Sequence, residues 1–323
     1  MRIGKWRDAL LLGRLSLFLA FVVFGQGCAL YQQRACAGHP EEACTEFPVQ
    51  ALTPCFNSKE FDFAYDRVAH PIYCFTKDHS KPPVLLLHEL PGLSSETLRF
   101  GEFLSKDFTV YAPQMLGRLN ESQPIRARFA SVMNGEWTGL ENGTSEIVTW
   151  LRGVTHAIAG HHPNQPIGVI GNCFTGAIPL TLLTNHQVKA IVLAQPTLPM
   201  PVFYYSEEDK RSLGISSEEL AWAKSRQDVR VYGVRFELDC VSPREKKVAL
   251  REFGDRYIDA EICRAEYQQE DNVVVAHSTL VRESVSPGLV GHAAMKRRQE
   301  VRQFLLDPVG FRRGVGSCSL ETR

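Results

Sequence analysis

Residues 82–89 read PPVLLLHE, an apolar run bounded by prolines on one side and by His88 and Glu89 on the other. Successive side chains of a strand point to opposite faces, so a strand with one wet face alternates apolar and polar residues. This run does not alternate, and it predicts a strand buried on both faces, as inside a parallel sheet covered by helices. FTVYAP (108–113), PIGVIG (166–171), VKAIVLAQ (188–195), DVRVYGVRF (228–236) and NVVVAH (272–277) are expected as further strands. FDFAYD (61–66) and HPIYCFTK (70–77) look like an early hairpin.

Helical patterns fall between these strands. SSETLRFGEFLSKD (94–107) is capped and amphipathic, with Leu98, Phe103 and Leu104 on one side. Residues 144–162 carry Ile147, Trp150, Leu151, Val154 and Ile158 at helical spacing. A helix is predicted from Phe174, two more over 216–227 and 242–253 behind Ser-x-x-Glu start signals, and a last one over 288–306. The alternation predicts one α/β domain over residues 60–307, a mostly parallel sheet flanked by helices on both faces. An irregular arm with cysteines (29–59) precedes it, and a short tail (308–323) follows. The long irregular stretch 113–143 is of the kind that usually carries function.

The 323 residues suffice for a large core, and 36 basic against 36 acidic side chains leave no net charge. No basic cluster is interleaved with aromatics, so nucleic-acid binding has no electrostatic footprint. The N-terminus has its own pattern. Arg2, Lys5, Arg7 and Arg14 precede the apolar run Leu15 to Phe24, and GQGC follows. This is the order of an export signal over residues 1–28, with Cys28 as candidate lipidation site. Gly25 stands where a lipoprotein signal usually has Leu, so simple secretion and a signal anchor stay open beside a lipoprotein. The expected location is the cell envelope, with membrane attachment through this segment. Export bears on the nine cysteines, four of which crowd into residues 36–74, where local bridges could staple a loop-rich segment. No C-x-x-C pair occurs, and no metal or cofactor is called for.

IGVIGNCFTG (167–176) raises Cys173 as a nucleophile. A strand that turns sharply into a helix holds its corner residue in a strained conformation and needs small neighbours. Gly171 stands at −2 and Gly176 at +3, with Thr175 at +2. A helix N-terminus behind the corner would favour a thiolate and a developing oxyanion. A cysteine nucleophile needs a base, and the base an orienting carboxylate, both after later strands. Asp239 follows DVRVYGVRF and His277 ends NVVVAH, in nucleophile–acid–histidine order; Glu237 is the rival to Asp239. His88, His161, His162, His186 and His292 do not follow a late strand in that order.

Several ordered segments over roughly residues 60–306 resemble the dienelactone hydrolase family of α/β-hydrolases: VLLLHELPGL, VYAPQMLGR, IGVIGNCFTG, and AHSTL before the closing helix. The resemblance implies an α/β-hydrolase fold and hydrolysis of small esters or lactones by Cys173, His277 and Asp239. It further implies an oxyanion hole from the backbone N–H groups of Leu90 and Phe174, and a Glu89 that interacts with the resting thiol. The chain departs from the family at two places. Thr175 replaces the first of two elbow glycines. The arginine expected four residues after the histidine is Val281, with Arg282 one further on as candidate substrate contact. Arg126 and Arg128 are further cationic candidates. A non-catalytic binding protein of the same fold, and acyl transfer or thioester cleavage by the same residues, are the alternative readings.

Overall fold

Leu85 and Leu87 point into one hydrophobic core and Val84 and Leu86 into a second, which is why the run they form does not alternate. The computed structural model describes residues 52–55, 68, 70–76, 78–90, 92–117, 119–120, 135–199, 206–267, 276–282, 290–313 and 318. Its strands are β1 (Thr53–Pro54), β2 (Ile72–Cys74), β3 (Pro83–Leu86), β4 (Thr109–Pro113), β5 (Ile167–Asn172), β6 (Val188–Ala194), β7 (Arg230–Val234) and β8 (Tyr257–Asp259). They form one eight-stranded sheet in the order β1-β2-β4-β3-β5-β6-β7-β8. β1 and β2 are antiparallel to their neighbours, and every pairing from β4 to β8 is parallel.

The helices are α1 (Ser95–Ser105), α2 (Glu146–His161), α3 (Ser217–Ser225), α4 (Lys247–Arg251) and α5 (Val290–Leu306). Phe100 and Leu104 of α1 and Val301, Phe304 and Leu305 of α5 fill one core. Ile147, Leu151, Val154 and Ile158 of α2 and Ala223 of α3 fill the other. Full burial of each such Val, Leu, Ile or Phe side chain contributes about 1.5–3 kcal/mol relative to exposure. The parallel sheet with helices on both faces is therefore the arrangement the apolar runs required.

Several elements differ from expectation. No α-helix follows the corner at Cys173: two 3-10 turns, Cys173–Thr175 and Ile178–Leu182, take its place. Pro179 lies in the first turn of the second segment and has no N–H for an α-helical ladder. The argument from a helix dipole at Cys173 therefore does not hold. Of the two Ser-x-x-Glu signals, Ser216 and Glu219 form a reciprocal capping box on α3. Ser242 instead donates its hydroxyl to Pro196 O (2.8 Å), and only a 3-10 turn and the short α4 follow. A tertiary bond has displaced the local one.

β2 pairs with Thr53–Pro54, inside the stretch read as an irregular arm, and FDFAYD lies outside the described residues. β8 was not expected, and of NVVVAH only Ala276 and His277 are described, neither in a strand. Disulfides join Cys55 to Cys74 and Cys263 to Cys318, while Cys173 and Cys240 are free. Residues 1–51, with Cys28, lie outside the described residues, as do Arg126 and Arg128. Among the described residues no helix is long and apolar enough to cross a membrane.

Candidate active site

Cys173 follows β5 with φ +53°, the left-handed region that an L residue adopts only under constraint. The neighbours explain how it fits. A Cβ on residue 171 would lie 2.3 Å from Thr175 O, and one on residue 176 would lie 2.7 Å from Pro196 Cα, so both positions demand glycine. Thr175 has its own task. Its Oγ1 accepts the Asn172 N–H (3.0 Å) and stands 3.1 Å from the carbonyls of His88 and Asn172, to which it donates. Asn172 Nδ2 donates to Leu87 O (2.9 Å). The departure from the double-glycine elbow is thus a buried lock between the corner and the end of β3.

His277 is buried beside it. Its Nδ1 donates to Asp239 Oδ2 at 2.7 Å, and its Nε2 has no hydrogen-bond partner of its own. One donor atom each of Glu89, Cys173 and His277 lie within 4.8 Å of one another. Because Nδ1 is engaged with Asp239, Nε2 is the nitrogen available to the sulfur. Burial opposes the imidazolium, yet the Asp239 carboxylate and the Cys173 sulfur outweigh it and hold the His277 pKa well above its ordinary value. Asp239 is fixed in turn, because its Oδ1 accepts the N–H groups of Val241 (2.9 Å) and Ser242 (3.0 Å). Arg235 gathers the same loop, donating to Ser242 O and Asp239 O at 3.0 Å while paired with Glu261 at 2.6 Å. Glu237, the rival acid, accepts the Arg264 N–H (2.8 Å) and is not the partner of His277.

Glu89 is also buried. The Ser278 hydroxyl faces both its oxygens, at 2.9 and 3.0 Å, and Ser278 itself has φ +62°. Burial raises the Glu89 carboxyl above the usual carboxylate range, against the opposing charge of His277, the Ser278 bond and the more distant Arg282. Arg282, half-buried, therefore stands close enough to act on Glu89 through its charge. Leu90 packs against the core beside Glu89, and Phe174 is buried with its ring 4.7 Å from that of Trp137.

Sequence reading missed four of these groups. Ser278 holds Glu89, Arg235 holds the acid loop, and Thr197 Oγ1 lies 3.9 Å from Cys173 Sγ. Gln195, at φ +37°, accepts the Thr279 N–H (3.1 Å) through Oε1 and so ties the end of β6 to the histidine loop. Left-handed non-glycine residues occur among the described residues at Cys173, Gln195 and Ser278, and otherwise at two asparagines, which tolerate it. The signal for these partners is long-range contact, which no local spacing carries.

A mostly parallel sheet in this strand order, with a strained corner residue after β5 and an Asp–His pair from later segments at the same edge, defines an α/β-hydrolase fold. No protein-family model matches the chain, and no curated protein matches it in sequence. Among solved structures it is similar to a candidate dienelactone hydrolase from Klebsiella pneumoniae subsp. pneumoniae, with 16% identity over 75% of this chain and 95% of that one, TM-score 0.49. It is also similar to an alpha-beta serine hydrolase homologue from Coxiella burnetii, 13% identical over 75% and 93%, TM-score 0.41. A membrane phospholipase A described as a bacterial virulence factor aligns over 96% of this chain and 100% of its own, at 14% identity and TM-score 0.45. The fold class rests on the strand order and the corner themselves.

Proposed function

We propose that the chain hydrolyses small carboxylic esters or lactones through Cys173, His277 and Asp239, in the manner of the dienelactone hydrolases its motifs resemble. What supports this most is one arrangement. A thiol on a strained corner lies within 4.8 Å of an imidazole whose other nitrogen is held by a buried carboxylate at 2.7 Å. His277 Nε2 already holds the thiol's proton when Cys173 Sγ attacks the carbonyl carbon, and the amides of Leu90 and Phe174 receive the oxyanion. The tetrahedral intermediate collapses to an acyl thioester, and the alkoxide leaves with the proton from His277. Water, deprotonated by His277, then attacks the thioester, and the thiol regains its proton as the acid departs. Asp239 keeps the imidazole in one tautomer throughout. Glu89 conditions the resting thiol, and Arg282 attracts a substrate carboxylate.

The test uses aryl esters and a thiol-directed probe on the full chain. Cys173→Ala is expected to abolish both turnover and labelling of this site, and equal turnover by wild type and variant would overturn the reading. Arg282→Ala should raise KM for an ester bearing a carboxylate and leave a neutral one unchanged; the same change in both removes Arg282 from the binding site. The N-terminal pattern supports an exported, envelope-attached protein. Metabolic lipid labelling that is lost in Cys28→Ala is expected, and labelling that persists would exclude Cys28 as the anchor.

A further inference from the structure

Cys173, His277 and Glu89 together have the donor types and spacing of a metal-ligand set. Cys173 offers a sulfur, His277 an imidazole nitrogen and Glu89 a carboxylate oxygen, all within 4.8 Å of one another. From zinc's bond lengths to these atom types, donors around a tetrahedral Zn²⁺ stand roughly 3.3–3.8 Å apart, so side-chain shifts of about an ångström would close the site. His277 Nε2 is buried with no hydrogen-bond partner, and it ligates once the metal has displaced its proton. Its Nδ1 is held by Asp239 at 2.7 Å, the carboxylate–histidine relay that orients metal-bound histidines. Ser278 steadies Glu89 in the same way, through bonds of 2.9 and 3.0 Å.

Charge points the same way. Zn²⁺ displaces the protons held on the sulfur and the imidazole, and the dication neutralises the thiolate and the carboxylate it then binds. Three protein donors leave a fourth position for water.

We propose that Cys173, His277 and Glu89 bind Zn²⁺ reversibly, and that the ion blocks hydrolysis by occupying the sulfur and the nitrogen the reaction needs. The inference rests on the hydrolytic reading only for the word block. Binding itself requires no turnover.

The experiment titrates metal alone into the full chain carrying Cys240→Ser, which removes the other free thiol among the described residues, together with Cys28→Ser, Cys36→Ser and Cys44→Ser. Zn²⁺ is followed against a chromophoric chelator and Co²⁺ by its thiolate-to-metal charge-transfer absorption. One equivalent of Zn²⁺ and a Co²⁺ charge-transfer band are expected. Cys173→Ser should abolish the band, and Glu89→Gln should weaken Zn²⁺ binding. Asp239→Asn, which touches no metal, should weaken it about 10- to 100-fold. A chelator should restore ester turnover in the Zn²⁺-loaded protein. Absence of stoichiometric binding, a band that survives Cys173→Ser, or an affinity unmoved by Glu89→Gln would each overturn the site. Full turnover with one equivalent bound would overturn the block. A chain that binds zinc through these residues but hydrolyses no ester would sink the hydrolytic reading and leave the metal site standing.

Discussion

Two histidines, His88 and His277, are buried within reach of Glu89, and they are held in opposite ways. His88 is fully enclosed, and its Nδ1 donates to Glu89 O (2.8 Å) while its Nε2 accepts the Met115 N–H (3.1 Å). Both nitrogens are committed to backbone, and burial lowers its pKa to about 4. His277 is equally buried but has one nitrogen on a carboxylate and the other facing a sulfur, and its pKa is raised. Burial alone therefore does not set the behaviour of a histidine here. The partners do: backbone dipoles stabilise one neutral tautomer, whereas the Asp239 carboxylate on one side and the charge on the Cys173 sulfur on the other stabilise the cation.

The contrast is most sharply broken by exchanging the two losses. His277→Ala is expected to reduce kcat/KM for an aryl ester by about 10³-fold or more, since it removes the base and stabiliser of the thiolate. His88→Gln should leave the thiol reactive and lower the unfolding midpoint instead. Similar kinetic losses in both variants would show that the distinction is wrong.

The second prediction concerns acid. Unfolded His88 takes up a proton below about 6.5, while the folded protein admits one only near pH 4. The unfolded state binds more protons across that window, so stability is full above it and falls as pH drops. The loss by pH 4 is about 3 kcal/mol from this residue, from 1.36 kcal/mol for each pH unit of difference. Chemical denaturation in the presence of a chelator should show this slope in wild type and a shallower one in His88→Gln; parallel slopes would sink it.

Glu89 gives a smaller effect of opposite sense. Its carboxyl pKa is raised in the folded state, so the folded protein keeps a proton that the unfolded chain has released. Its contribution is most favourable below the ordinary carboxylate range and declines as pH rises through the folded value. Glu89→Gln should therefore gain on wild type between pH 4 and pH 8 in the same denaturation assay. A constant difference at both pH values would contradict the assignment.

The smallest effect is expected at Thr175, which ties the corner to the carbonyl of His88. Thr175→Val keeps the shape and strands the Asn172 N–H, at a cost of about 1–3 kcal/mol. Thr175→Gly restores the family's double-glycine corner and should also loosen Cys173. An unchanged melting temperature in both variants would mean that the lock carries no load.

Much of this was legible along the chain, for a local reason. Short unalternating apolar runs bounded by Pro and Gly read as strands covered on both faces, and the C-terminal ends of such strands lie at one edge of a parallel sheet. PPVLLLHE, IGVIGNC and the strand before Asp239 thus placed Glu89, Cys173 and Asp239 at a common rim. The same local reasoning failed after Cys173, where Pro179 allows 3-10 turns and no α-helix. It failed again at Ser242, whose hydroxyl went to Pro196 O.

The amino-acid sequence by itself determined the layered sheet, the bend at Cys173 and the order of the candidate residues, because burial patterns and glycine spacing act over a few neighbouring positions. Only the tertiary structure decided which carboxylate meets His277 and which hydroxyl holds Glu89, as well as the use of Thr175 in place of a glycine. Those choices join residues as far apart as 38, 189 and 87 positions, and only the closed sheet brings them within hydrogen-bond reach.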